Sequence, residues 1–82
     1  MKHRLYCIRD KYTGFAQPTI FANDNVAVRH FKDLCLNAGN VITNNPADFD
    51  LYHIGNFDEE TGELESIMPV FIVAGNSFAV KE

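Results

Sequence analysis

The segment DNVAVRHFKDLCLNA, residues 24–38, predicts the main helix of the chain and thereby decides the fold class. Its apolar side chains recur at the spacing of one helix face, namely Ala27, Phe31, Leu34 and Ala38, with Val28 and Cys35 widening the stripe. Asn23 or Asp24 can cap the first amides, and Gly39 is a typical left-handed terminator. Arg29 and Lys32 lie off the stripe and are expected to face water.

The residues before the helix predict a β-hairpin. Residues 3–10 alternate loosely and are rich in strand-forming side chains, and residues 15–21 predict a second short strand. Residues 11–14 between them predict a turn, in which Gly14 is free to take a positive φ. Because Pro18 has no amide donor, the second strand is expected at a sheet edge or at a bulge.

The residues after the helix predict another hairpin. Its strands are residues 51–57 and 63–74, joined by a tight loop over 58–62 in which Gly62 occupies a position that needs a positive φ. Pro69 interrupts the last strand. It requires a bulge, a break into two strands, or a nitrogen that points away from the sheet.

This order of elements, β-β-α-β-β, predicts an α+β fold in which one helix packs on a small antiparallel sheet of about four strands. We expect residues 1–82 to form a single domain, with residues 75–82 as a loosely ordered tail. One helix covers one face of such a sheet, so the other face is wet, covered by another subunit or used for binding. Small domains gain buried area by self-association, so a homo-oligomer is expected.

Composition and spacing argue against an enzyme, a metal site and a cofactor. The three His and two Cys show none of the spacings typical of metal ligands. The glycines are isolated, and neither Ser66 nor Ser77 lies in a nucleophile motif. Cys7 and Cys35 are expected to be buried thiols, because nothing in the sequence indicates secretion. The longest apolar run is far too short to cross a membrane, so a cytoplasmic protein is expected.

Charge is divided along the chain: residues 1–33 have a balance of +3 and residues 34–82 a balance of −7, for a net charge of −4. Bases alternate with aromatic rings in the first hairpin, and single-strand binders combine these side chains for phosphate contact and base stacking. The candidate phosphate contacts are Arg4, Arg9, Lys11, Arg29 and Lys32, and the candidate stacking rings are Tyr6, Tyr12 and Phe15. The net negative charge argues against strong non-specific binding, and Tyr6 and Phe15 are alternatively core residues.

Several short motifs, in this order and spacing, resemble a family of small proteins. They are Tyr6-Cys7-Ile8-Arg9-Asp10, Gly14-Phe15, Pro18-Thr19, Asn23-Asp24 with Ala27, Arg29 and Phe31, Pro46-Ala47-Asp48-Phe49-Asp50-Leu51-Tyr52, Ile54-Gly55, Phe57-Asp58 and Thr61-Gly62-Glu63. The family is that of the nonstructural proteins of gokushoviruses, small single-stranded DNA phages of the microvirus group. The resemblance covers residues 4–65. It implies a protein absent from the mature capsid, with a role in DNA replication, and it offers no active site.

Together, residues and resemblance predict a non-enzymatic phage protein that acts in genome replication in the host cytoplasm and binds single-stranded DNA as a homo-oligomer. The alternative is a protein-interaction module that binds a phage or host replication factor. Such a module would use the acidic hairpin around residues 58–65 or the free face of the sheet.

Overall fold

The structure, a computed structural model, describes residues 2–37 and 41–78. It has an α+β fold with an antiparallel sheet and one main helix, as predicted. The strands are β1 (Lys2–Asp10), β2 (Gly14–Phe15), β3 (Thr19–Phe21), β4 (Phe49–Asp58) and β5 (Leu64–Ala74). The helices are α1 (Asp24–Leu36) and the single turn α2 (Val41–Asn44), and 3₁₀ turns occupy Pro46–Asp48 and Gly75–Phe78.

The first and fourth strands form the centre of the sheet. The spatial order is β2-β1-β4-β5, and β3 pairs with β1 along the same edge as β2. The sheet therefore has five strands because the predicted second strand is divided at residues 16–18. Pro18 lies in this break at the sheet edge, where no hydrogen bond of the sheet needs an amide donor from this residue.

Both predicted turns have the expected glycine conformation. Gly14 has φ +111° and Gly62 has φ +79°, a region that side chains with a Cβ avoid. In the second turn the Asp58 carboxylate accepts the backbone N–H of Glu60 at 2.9 Å. This hydrogen bond, made to the charged form, lowers the pKa of Asp58.

Pro69 lies in a bulge, which is one of the three arrangements left open by the sequence. His53 of β4 pairs with Val70 and Gly55 pairs with Ser66, so three residues of β5 oppose one residue of β4. The strands approach closely here. A Cβ on Gly55 would lie 2.5 Å from the carbonyl oxygen of Glu65, so this position requires glycine.

The main helix begins where its capping residue predicts. The Asn23 side chain accepts the Val26 N–H at 3.0 Å and caps the first turn. At the other end, the N–H of Asn37 donates to the carbonyl of Asp33. The predicted end of the helix at residue 38 and its predicted terminator Gly39 lie outside the described residues.

The core lies between α1 and one face of the sheet. Its buried side chains are Tyr6, Ala27, Phe31, Cys35, Phe49 and Leu51. Phe31 is completely buried, and its ring meets that of Phe78 edge to face at 6.2 Å. Cys7 and Cys35 are buried free thiols whose pKa values are raised by burial. Within the described residues, no helix packs on the other face of the sheet.

Candidate nucleic-acid interface

The strand register identifies which side chains lie on the face of the sheet opposite α1. Directly opposed residues of an antiparallel pair share a face, and successive residues alternate. Ile8 pairs with Leu51 on the core side, so their neighbours along the strands point the other way. The register pairs place seven residues on this surface, here called the open face: Cys7, Arg9, Phe15, Asp50, Tyr52, Phe71 and Ala74.

Three aromatic rings cross the open face as a row. Phe15 of β2 meets Tyr52 of β4 at a centroid distance of 5.3 Å and an interplanar angle of 76°. Tyr52 in turn meets Phe71 of β5 at 5.8 Å and 82°. Both contacts are edge to face, an arrangement that aromatic quadrupoles favour. Phe15 is 49% exposed and Phe71 is 53% exposed, so both ends of this aromatic row are available to a stacking partner.

The register explains why the sequence identified only one ring of the row. The sequence indicates Phe15 because this residue lies among the bases of the first hairpin. The faces on which Tyr52 and Phe71 lie depend on the register and the bulges of β4 and β5, which local sequence does not determine. Phe71 also falls in an apolar run, which is typical of core residues, and no signal in the sequence places it on the open face.

Arg9, which is partly buried, supplies a positive charge beside the aromatic row. It is the cross-strand neighbour of Phe15 on one side and of Asp50 on the other. Its guanidinium makes no hydrogen bond or ion pair within residues 2–37 and 41–78. Asp50 is buried, with 6% of the residue exposed. The accessible charge at this end of the open face is therefore positive.

The other predicted phosphate contacts are either paired or on another surface. Arg4 donates to the Asp24 carboxylate at 3.1 Å, and the Lys11 ammonium donates to the carbonyl of Ala47 at 2.8 Å. Arg29 and Lys32 are exposed on α1, across the sheet from the open face. Tyr12 is 82% exposed in the turn after β1. The predicted site residues therefore occupy several surfaces and do not form one basic patch.

The prediction that Tyr6 stacks on a base is wrong, because its ring belongs to the core. Tyr6 is 1% exposed and packs against the rings of Phe21 and His53. Its hydroxyl donates to the carboxylate of Asp24, which also accepts the Arg4 guanidinium. Burial, together with the hydrogen bond to Asp24, raises the pKa of Tyr6 well above its usual value.

This arrangement predicts a loss of stability at alkaline pH. Because the folded pKa of Tyr6 is raised, the unfolded chain releases the phenol proton first, and stability falls as pH rises above about 10. Tyr6→Phe is expected to cost about 1–2 kcal/mol at neutral pH and to flatten this alkaline decline. Denaturant unfolding across the alkaline range measures both effects.

The matched control is Tyr12→Phe, which removes the same hydroxyl from an exposed ring and should retain the wild-type pH profile. A Tyr6→Phe protein that loses stability as steeply as the wild type would show that Tyr6 does not cause the decline.

The end of the sheet away from Arg9 is acidic. The hairpin between β4 and β5 carries Asp58, Glu59, Glu60 and Glu63, and Glu59 pairs with His3 at 3.1 Å. His3 and Arg9 are six residues apart in β1, which corresponds to about 20 Å along a strand. The acidic hairpin would therefore repel an anion from its end of the sheet, whereas Arg9 would attract an anion at the other end of β1.

The described residues contain neither a metal-binding cluster nor a membrane-spanning helix. No group of three or more His, Cys, Asp or Glu residues within ranges 2–37 and 41–78 could hold a metal ion. In the same ranges, every helix is too short or too polar to cross a membrane.

Comparison with known proteins gives one result. A family model described as Phage ORF5 protein matches residues 3–78, which is nearly the whole chain. No curated protein and no solved structure shows significant similarity.

Proposed function

We propose a function for this chain, which belongs to the Phage ORF5 protein family. It is a non-enzymatic bacteriophage protein that binds single-stranded DNA during genome replication. The motifs over residues 4–65 further favour the interpretation that the chain is one of the gokushovirus nonstructural proteins. On this proposal the protein acts in the cytoplasm of the infected host. It uses no cofactor, and its role is to hold the strand rather than to change it.

One observation gives the main support to this proposal: the half-exposed aromatic row lies beside Arg9, whose guanidinium has no hydrogen-bond or ion-pair partner among residues 2–37 and 41–78. Bases stack on aromatic rings whatever their sequence, and each stacked base contributes about 1–3 kcal/mol. Phe15 and Phe71 each offer a ring for stacking, at the two ends of the row. Arg9 lies next to Phe15 and is available to a phosphate. Stacking and a cation therefore occur together on one surface, as single-strand binding requires.

The charge distribution restricts where a strand would lie. The acidic hairpin at Asp58–Gly62 repels phosphates from the far end of the sheet, whereas Arg9 attracts them at the near end. Bound single-stranded DNA would therefore cross β2, β1, β4 and β5 along the aromatic row. With Arg9 as the cation next to the row, binding is expected to depend more on stacking than on counterion release.

The test is fluorescence anisotropy of a labelled oligothymidylate at several salt concentrations. Phe15→Ala and Phe71→Ala are each expected to weaken binding by about 5- to 150-fold, the equivalent of one lost stacking contact. Arg9→Ala is expected to weaken binding and to reduce the salt slope by about 1, because one phosphate contact is lost. Far-UV circular dichroism shows whether each variant keeps its fold.

The matched control is the double variant Arg29→Ala with Lys32→Ala, which removes two exposed bases on the opposite side of the sheet. It should bind as the wild type does, apart from a small change at low salt. If this double variant loses as much affinity as Phe71→Ala, the aromatic row is not the site. If the wild type fails to bind at low salt, the DNA proposal is wrong and the protein-interaction alternative takes its place.

A further inference from the structure

The two edges of the sheet differ in their capacity to pair with another chain. The β2–β3 edge consists of strands of two and three residues separated by Pro18, which is how natural proteins block edge pairing. The other edge is β5, a strand of 11 residues. Within the described residues, β5 pairs with β4 alone, and its outer backbone groups have no strand partner.

The free edge of β5 is apolar and partly exposed. No charged residue occurs from Ser66 to Ala74, and the side chains of Met68, Val70 and Phe71 are 85%, 49% and 53% exposed. Pro69 cannot donate a hydrogen bond, so it limits regular pairing to the residues on either side. The longer apolar side is residues 70–74, Val-Phe-Ile-Val-Ala. An uncharged edge of this kind is a template for another strand.

We propose that β5 pairs with β5 of a second copy, antiparallel and about a two-fold axis within residues 70–74, to form a closed dimer. A two-fold axis uses the same edge of both copies. Because the β2–β3 edge is blocked by Pro18 and its short strands, no further copy can add, and the assembly stops at two.

Charge favours this copy and this direction. Pairing the uncharged residues 70–74 of two chains brings no like charges into contact. Antiparallel pairing places the two acidic hairpins, each at the start of β5, at opposite ends of the dimer. Parallel pairing would place them side by side, where the carboxylates of the two hairpins would repel one another.

The dimer would also extend the DNA site, and this part of the inference rests on the proposed function. Phe71 is the member of the aromatic row that lies in the edge strand. Joining two β5 strands brings the row of one copy next to the row of the other, across a continuous sheet. An oligonucleotide long enough to span both aromatic rows would then bind more tightly than one that spans a single row.

The first test is sedimentation velocity on the free protein over a range of concentrations. The wild type is expected to sediment as a monomer and dimer in equilibrium. Val70→Lys, which places a charge on each side of the two-fold axis, is expected to raise the dimer dissociation constant by about tenfold or more. The matched control is Ile20→Lys, a similar change at a side chain of similar exposure on the blocked edge, and it should dimerise as the wild type does.

A second measurement needs no variant. Amide hydrogen exchange of the wild type should show slower exchange within residues 70–74 at concentrations where the dimer forms, and no such change in β3. A wild type that stays monomeric, a wild type that forms open-ended assemblies, or a dimer that survives Val70→Lys would each overturn the inference. These measurements do not involve DNA. If no dimer forms, the proposed DNA binding through Phe15, Phe71 and Arg9 is still tested separately by fluorescence anisotropy.

Discussion

Phe31→Ala is expected to remove about 3–5 kcal/mol from the free energy of unfolding, the range observed when a buried phenylalanine is truncated. Phe31 is 0% exposed, at the centre of the stripe that α1 packs on the sheet. Its ring also contacts that of Phe78, so the cavity left by the change would loosen the 3₁₀ turn after β5. For a chain of 82 residues, total stability is about 4–12 kcal/mol. The loss is therefore a large part of the total stability, and the urea midpoint of the variant should lie well below that of the wild type.

Urea denaturation followed by circular dichroism measures this loss. Leu36→Ala is the control, because it truncates a large side chain in the same helix at a position that is 43% exposed. It should cost less than about 1 kcal/mol, since most of its surface is already in water. Equal losses in the two variants would mean that the stripe of α1 does not anchor the core as the structure indicates.

Gly75→Ala is expected to destabilise the protein by about 1–3 kcal/mol or more, by overpacking rather than by a cavity. Gly75 is buried at the start of the 3₁₀ turn after β5. An added Cβ would clash with the carbonyl oxygen of Pro46 and lie 3.0 Å from that of Phe49. Both obstacles are backbone atoms, so the clash is relieved only if the turn before β4 and the turn after β5 move apart.

Thermal unfolding compares this variant with Ser77→Ala, an exposed position in the same turn. The Ser77 change should alter the melting temperature little, whereas Gly75→Ala should lower it by several degrees. A Gly75→Ala protein as stable as the wild type would indicate that the two turns are not in close contact.

Local sequence was sufficient to predict most of the elements. The period of α1, its cap at Asn23 and the two turns at Gly14 and Gly62 are each set by a few neighbouring residues. Because proline has no amide donor, Pro18 and Pro69 each require an edge or a bulge; Pro18 lies at the sheet edge and Pro69 in a bulge. What the sequence does not give is the pairing of β1 with β4, because strand order depends on which faces are buried together and not on local propensity.

The candidate site was harder to predict than the fold, because it consists of relations between strands. Tyr6 and Phe15 look alike in the sequence as aromatic residues of one hairpin. Tyr6 faces α1 and is buried, whereas Phe15 faces the other way and is half exposed. Phe71 joins the aromatic row only through the register of β5 on β4. Charge gave a similarly incomplete account: Arg4 and Lys11 already have partners, which a count of basic residues does not show.

The central position of β1 and β4 governs when the protein can fold. These adjacent strands are separated in the chain by 38 residues, from Lys11 to Asp48, so a long loop must close before the middle of the sheet exists. At a synthesis rate of about 5–20 residues per second, several seconds pass between the synthesis of β1 and that of β4. Until Leu51 emerges, Tyr6 and Phe31 have only part of their core. Folding is therefore expected to be a late and cooperative event, in which the first hairpin is completed by the second.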